Sequence, residues 1–177
     1  MRRILLIKYS MICTVQRISV HPHAGSCLDN KSYAVEGKPM VTITNIRSID
    51  YTMYDEVWAI VRSLKNPGQM KHVPGLSPSW GLFKKYLELR DAGDWNTDTF
   101  RKIYVPVFIK EMRTAAARRN LAELVRLDSQ GKHICFPCFC NDETTCHRSI
   151  IAGILQGIGI TVNGVKKDYS MYGKACL

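Results

Sequence analysis

The chain has 177 residues, 46% of them hydrophobic and 23% charged, which suits one globular domain with a real core and excludes a disordered polypeptide. Its net charge of +10, split +4 over residues 1–40 and +6 over the remainder, favours anionic partners, although no dense Lys/Arg block is present. No apolar run nears the roughly 20 residues that a bilayer span needs, so no membrane association is expected.

Met1–Ile7 mimics the start of a secretion signal, but Lys8 breaks the apolar run and no small-residue cleavage site follows closely. The expectation is therefore a protein that is not exported. Residues 1–38 read as a poorly packed N-terminal extension, with scattered apolar residues and a turn-rich break at His21-Pro22-His23-Ala24-Gly25-Ser26. His21, His23 and Cys27 carry metal-ligand chemistry, but no second pair lies nearby, and loop positions suit them better.

The domain proper is placed at residues 39–165. Met40–Ile46 alternates and is β-branched, which predicts a strand. Glu56–Arg62 is a short apolar run ending in a charge, as a buried strand would be. After a turn at Lys65–Gly68, Ser77 caps a helix with Pro78 at its first position and Leu82, Phe83, Tyr86 and Leu87 at helical spacing. The next helix starts at Asn96 or Thr97, turns Phe100, Ile103, Tyr104, Val107 and Phe108 inward, and is kinked or split by Pro106.

A third helix covers about Thr114–Leu127, with Leu121, Leu124 and Val125 on one face and Gly131 as its stop. His133–Phe139 reads as a strand, provided Pro137 lies at a sheet edge or in the last turn. A polar loop at residues 141–145 leads into a helix from about Thr145, carrying Ile150, Ile151, Ile154, Leu155 and Ile158. Ile160–Val162 is a last strand, and residues 166–177 form a polar, basic C-terminal tail. Trp58, Trp80 and Trp95 are expected in the core. Strands separated by helices predict a single α/β domain, a small and mostly parallel sheet with flanking helices.

Seven cysteines are present, and Cys135, Cys138, Cys140 and Cys146 fall within twelve residues. The odd total and the clustering argue against a disulfide scaffold and for reduced thiols in a cytoplasmic setting. Cys146, His147 and Arg148 open the isoleucine-rich helix, where unpaired N–H groups and a partial positive charge favour an anion. Arg148 can hold such an anion, His147 can act as general acid or base, and Cys146 can be a nucleophile. Arg62, closing a strand, and Ser79 are candidate substrate contacts, though Ser79 also suits a helix cap.

Zinc is the other chemistry, with Cys138, Cys140, Cys146 and His147 as the four ligands. Cys135 and Cys138 equally suit small core positions. A cysteine phosphatase loop is excluded, because the sixth residue after Cys138 is Thr144 and after Cys140 is Cys146, neither of them arginine.

At these residues the chain resembles the domain of unknown function 488 family. The stretch CFPCFCNDETTCHRSIIAGILQ is similar to that family's C-terminal signature, and Cys138, Cys146, His147 and Arg148 match it position by position. EVWAIVR resembles an early family strand ending in arginine, here Arg62, and GLSPSWGLFKKY resembles a segment that places Pro78 and Ser79 before a helix. FRKIYVPVFIKEM fits the family's middle helix. The resemblance covers about residues 40–162. Where family members carry glutamate this chain has Cys140, which removes an acid/base group and raises the metal option. The resemblance implies a fold and a site rather than a reaction.

The function expected first is binding or processing of a small anionic ligand, phosphorylated or nucleotide-like, at the Cys-His-Arg helix start. The alternative is a structural zinc module whose basic surface binds nucleic acid. Action through protein contact is a third class left open.

Overall fold

A computed structural model describes residues 41–176 of the chain. The segment 1–38, with His21, His23 and Cys27, lies outside the described residues. Five strands, β1 (Val41–Asn45), β2 (Glu56–Ala59), β3 (Lys71–His72), β4 (Ile134–Cys138) and β5 (Val162–Asn163), form one sheet in the order β3-β2-β4-β1-β5. Every pairing is parallel. Helices α1 (Trp80–Asp91), α2 (Thr97–Thr99), α3 (Val105–Met112), α4 (Ala115–Ser129), α5 (His147–Gly157) and α6 (Gly173–Cys176) connect and flank them. The chain is thus a parallel α/β domain, as the alternation of elements predicts. No helix among the described residues is long and apolar enough to cross a membrane.

β4 lies in the middle of the sheet and is buried along its whole length, which explains its unbroken run of apolar and sulfur side chains. Pro137 is consequently in a central strand, not at an edge. The β2 ladder stops at Val57↔Cys135, so the missing amide falls where β2 has already separated from β4.

Between α2 and α3 the chain makes a π-helical turn, Phe100–Tyr104, and Pro106 enters α3 in its first turn. The wide turn resolves the clash a proline imposes on the preceding helical turn. It also inserts one residue into the helical register. The buried face becomes Phe100, Tyr104, Val105, Phe108, Ile109 and Met112, and the expected Ile103 and Val107 are exposed. The same phase logic exposes Val125, one residue past buried Leu124 on α4.

α1 is capped by Ser79, whose Oγ accepts from the Leu82 amide at 3.2 Å. Ser77, expected as that cap, is buried two residues earlier, after a 3-10 turn at Pro74–Leu76. Asn96 caps α2 in a reciprocal capping box with Thr99. Trp58 is fully buried and Trp95 half-buried, whereas Trp80 is 63% exposed, correcting its expected place in the core.

The segment taken as a polar tail packs on α5. Tyr169, Gly173 and Cys176 are buried. Gly153 and Gly157 let the backbone of Tyr169 and Ser170 lie directly against α5, where a methyl group on either glycine would collide. One large apolar cluster unites the sheet with its helices, and a small second cluster holds Ala59, Val61, Cys138 and Cys146.

Candidate functional site

The second cluster lies at the carboxyl ends of β2 and β4, the place where open parallel sheets collect their ligands. Cys138 is the last residue of β4, and Cys146 is the N-cap of α5. The loop between them is held at several points. Asn45, ending β1, donates from Nδ2 to the Cys140 carbonyl and to Asn141 Oδ1, both at 3.2 Å. Asp142 accepts from the Thr144 amide at 2.8 Å and from the Thr145 hydroxyl at 2.7 Å. The Ser149 hydroxyl donates to the Glu143 carbonyl. These bonds explain why a polar, exposed loop delivers Cys146 and His147 to a defined position.

Three sulfurs gather there. Cys138 Sγ is 3.5 Å from Cys140 Sγ and 3.7 Å from Cys146 Sγ. Hydrogen bonding with Cys140, then with Cys146, holds the Cys138 thiol far below its ordinary value, with the nearby His147 helping. The Cys140 thiol is correspondingly pushed up to about 12, chiefly by Cys138. Cys146 is raised by its burial and then by the other two sulfurs.

The His147 ring bridges this cluster to β2. Its Nε2 lies 2.7 Å from the Ile60 carbonyl, which accepts only from a protonated nitrogen, so Nε2–H donates there. In the neutral ring Nδ1 keeps its lone pair, 3.7 Å from Cys146 Sγ. Phe108 packs edge-on to the imidazole at 5.6 Å between centroids.

Arg148 is elsewhere. Its side chain is fully buried, Nη1 donates to the Thr44 carbonyl at 2.6 Å, and Nη2 pairs with Glu143 at 3.6 Å. It stitches the ends of β1 and β4 to the loop and does not line the cleft beside the three sulfurs, where the sequence analysis expected it to hold an anion.

Cys138, Cys140, Cys146 and His147 line a cleft of about 190 Å³. Trp80, Phe83, Tyr86, Trp95 and Tyr104 also line it. These rings run in sequence, with Phe83–Tyr86 at 6.0 Å, Tyr86–Trp95 at 4.7 Å and Trp95–Tyr104 at 5.5 Å. Burial, then the charge of the sulfur cluster, raises the Tyr104 phenol well above its usual value, keeping it neutral. Arg62 lines the same cleft, with its guanidinium 5.9 Å from the Trp80 ring. It donates to the carbonyls of Pro78 and Pro74 at 3.2 and 3.3 Å, while its buried Nε has no partner.

Ser79 lies in a neighbouring depression with Ser77 and Glu111, which Arg62 also borders. Its amide donates to Glu111 Oε2 at 3.0 Å, so Ser79 is a helix cap and not part of the cysteine cleft. The aromatic wall is the feature that sequence reasoning missed. Tyr86 and Tyr104 read as plain core positions, and only the half-buried state of Trp95 and the exposure of Trp80 separate them from one.

A parallel α/β domain carrying a thiol–imidazole group where its strands end defines the class of protein. Residues 42–159 match the sequence profile of DUF488-N3a, described as the active DUF488-N3 subclade, and the chain belongs to that family. No curated protein and no solved structure matches the chain.

Proposed function

We propose that this protein is an enzyme acting on a small anionic ligand with a planar ring, of the nucleotide-like class, in the cysteine cleft. The observation that carries the reading is the shared lining of that cleft: Cys138, Cys146 and His147 sit with six aromatic rings and Arg62. Rings of this kind stack on a base, each contact being worth about 1–3 kcal/mol. Arg62, which lines the cleft, offers a fixed positive charge for the anionic end. The net charge of +10 draws such a ligand in.

The reacting groups are the sulfurs and the imidazole. His147 Nδ1 takes or returns a proton beside Cys146, and the Ile60 carbonyl keeps the ring in that tautomer. The family's description as an active subclade supports catalysis over a purely structural module. Arg148 acts from behind as a positioning residue for the loop.

Tryptophan fluorescence tests the reading, because Trp80 and Trp95 line the cleft. Titration with a nucleoside monophosphate is expected to change the emission saturably, and inorganic phosphate alone is expected to bind far more weakly. Arg62→Gln should raise the Kd about tenfold, the loss of one charge-assisted hydrogen bond. A nucleoside monophosphate that leaves wild-type emission unchanged at millimolar concentration contradicts the proposal.

A further inference from the structure

Cys138 comes from the end of β4, and Cys146 and His147 from the start of α5, yet their donor atoms all lie within 4.8 Å of one another. A tetrahedral zinc ion with bonds of about 2.3 Å to sulfur and 2.0–2.1 Å to nitrogen requires sulfur–sulfur edges of about 3.8 Å and sulfur–nitrogen edges of about 3.6 Å. The Cys138–Cys146 edge is 3.7 Å, and the edge from Cys146 Sγ to His147 Nδ1 is 3.7 Å. The imidazole is already turned as a ligand, because its Nε2 is anchored on the Ile60 carbonyl at 2.7 Å. Histidines bound to a metal are held by such an outer partner on the far nitrogen. Ala59 and Val61 pack around the sulfurs and give the group an apolar shell.

We propose that Cys138, Cys146 and His147 Nδ1 bind one zinc ion, leaving its fourth coordination position to the cleft that all three residues line. Two thiolates and an imidazole are the soft donors that select zinc over magnesium or calcium. Three protein ligands with one open position is the make-up of a catalytic zinc, not of a closed structural knot. Cys140 falls outside the mutually close set and remains a thiol beside Cys138. Binding expels to solvent the S–H protons that the two ligand thiols still carry. The inference deepens the proposed function and rests on it only for the role of the cleft. The ion would polarise an oxygen of the bound ligand or a water held against it.

The test uses the full chain, stripped with a chelator and titrated with cobalt(II) alone. One equivalent is expected to produce thiolate-to-cobalt charge transfer in the near ultraviolet together with the strong visible bands of a tetrahedral site, and zinc should bleach both. Cys138→Ser and Cys146→Ser should each lose much of the charge-transfer band, whereas Cys140→Ser and Cys135→Ser keep it. Because a cysteine variant can fail to fold, the native wild-type thiols are also titrated with a thiol reagent. Zinc is expected to slow two of them more than tenfold. Absence of a cobalt spectrum and of thiol protection in the wild type overturns the site. A loss in Cys140→Ser equal to that in Cys138→Ser overturns the open coordination. A normal cobalt spectrum in a protein whose emission ignores nucleoside monophosphate upholds the metal and overturns the ligand reading instead.

Discussion

Arg148 illustrates how a residue's type can be legible while its direction is not. A guanidinium in the first turn of a helix reads as an anion ligand, because helix starts and arginine both favour negative charge. Here the side chain runs inward, where two strand-end carbonyls and Glu143 already use it. Its task is to close the carboxyl edge of β1 and β4. Arg148→Met should therefore lower the unfolding free energy by about 3 kcal/mol, since it strands two carbonyls and leaves Glu143 with Lys166 as its remaining cation. Urea denaturation checks this, and an unchanged midpoint would mean that these bonds are worth nothing. Cys146 and His147 are the opposite case. Both sit side by side at the start of α5, so the junction that carries one also carries the other.

Among elements, α5 is the one whose two ends serve different purposes. Its start carries the site and its last turns carry the C-terminal segment, through close contact at Gly153 and Gly157. Gly157→Ala places a methyl group against the Ser170 backbone, and overpacking of this kind costs about 1–3 kcal/mol. Hydrogen exchange should then speed up in α6 while β4 stays protected. Equal exchange in α6 of the wild type and of Gly157→Ala would show that the tail yields without cost.

Helices and long strands were legible because their periods and caps are local, as at Asn96 and Thr114. The π turn was not, since an added residue at Phe100–Tyr104 changes which face is buried without changing composition. Strand β3, two exposed residues paired with Trp58 and Ala59, carries no pattern that a sequence could announce.

For the whole molecule, the sheet order explains why the site could be only half read. The sulfurs are close in sequence, but the Ile60 carbonyl, Tyr104 and Trp95 reach the cleft from other segments, and only the tertiary fold brings them there. Burial in the sheet also sets an alkaline limit on stability. Cys135 sits fully buried in β4, where desolvation pushes its thiol from 9.0 to about 12. A raised folded value means that the unfolded chain releases the proton first. The contribution of Cys135 is thus complete below about pH 9 and is lost as pH rises toward about 12. Thermal melts of wild type and Cys135→Ala should converge across that window, and a constant gap between them would contradict the assignment.

The most direct measurement of the central claim, that the sulfurs and the aromatic wall share one ligand cleft, is alkylation of chelator-treated protein by iodoacetamide, mapped by mass spectrometry. A saturating nucleoside monophosphate should slow modification of Cys138 and Cys146 at least tenfold while denatured protein reacts unchanged. Equal rates at both cysteines with and without the nucleotide would contradict the account.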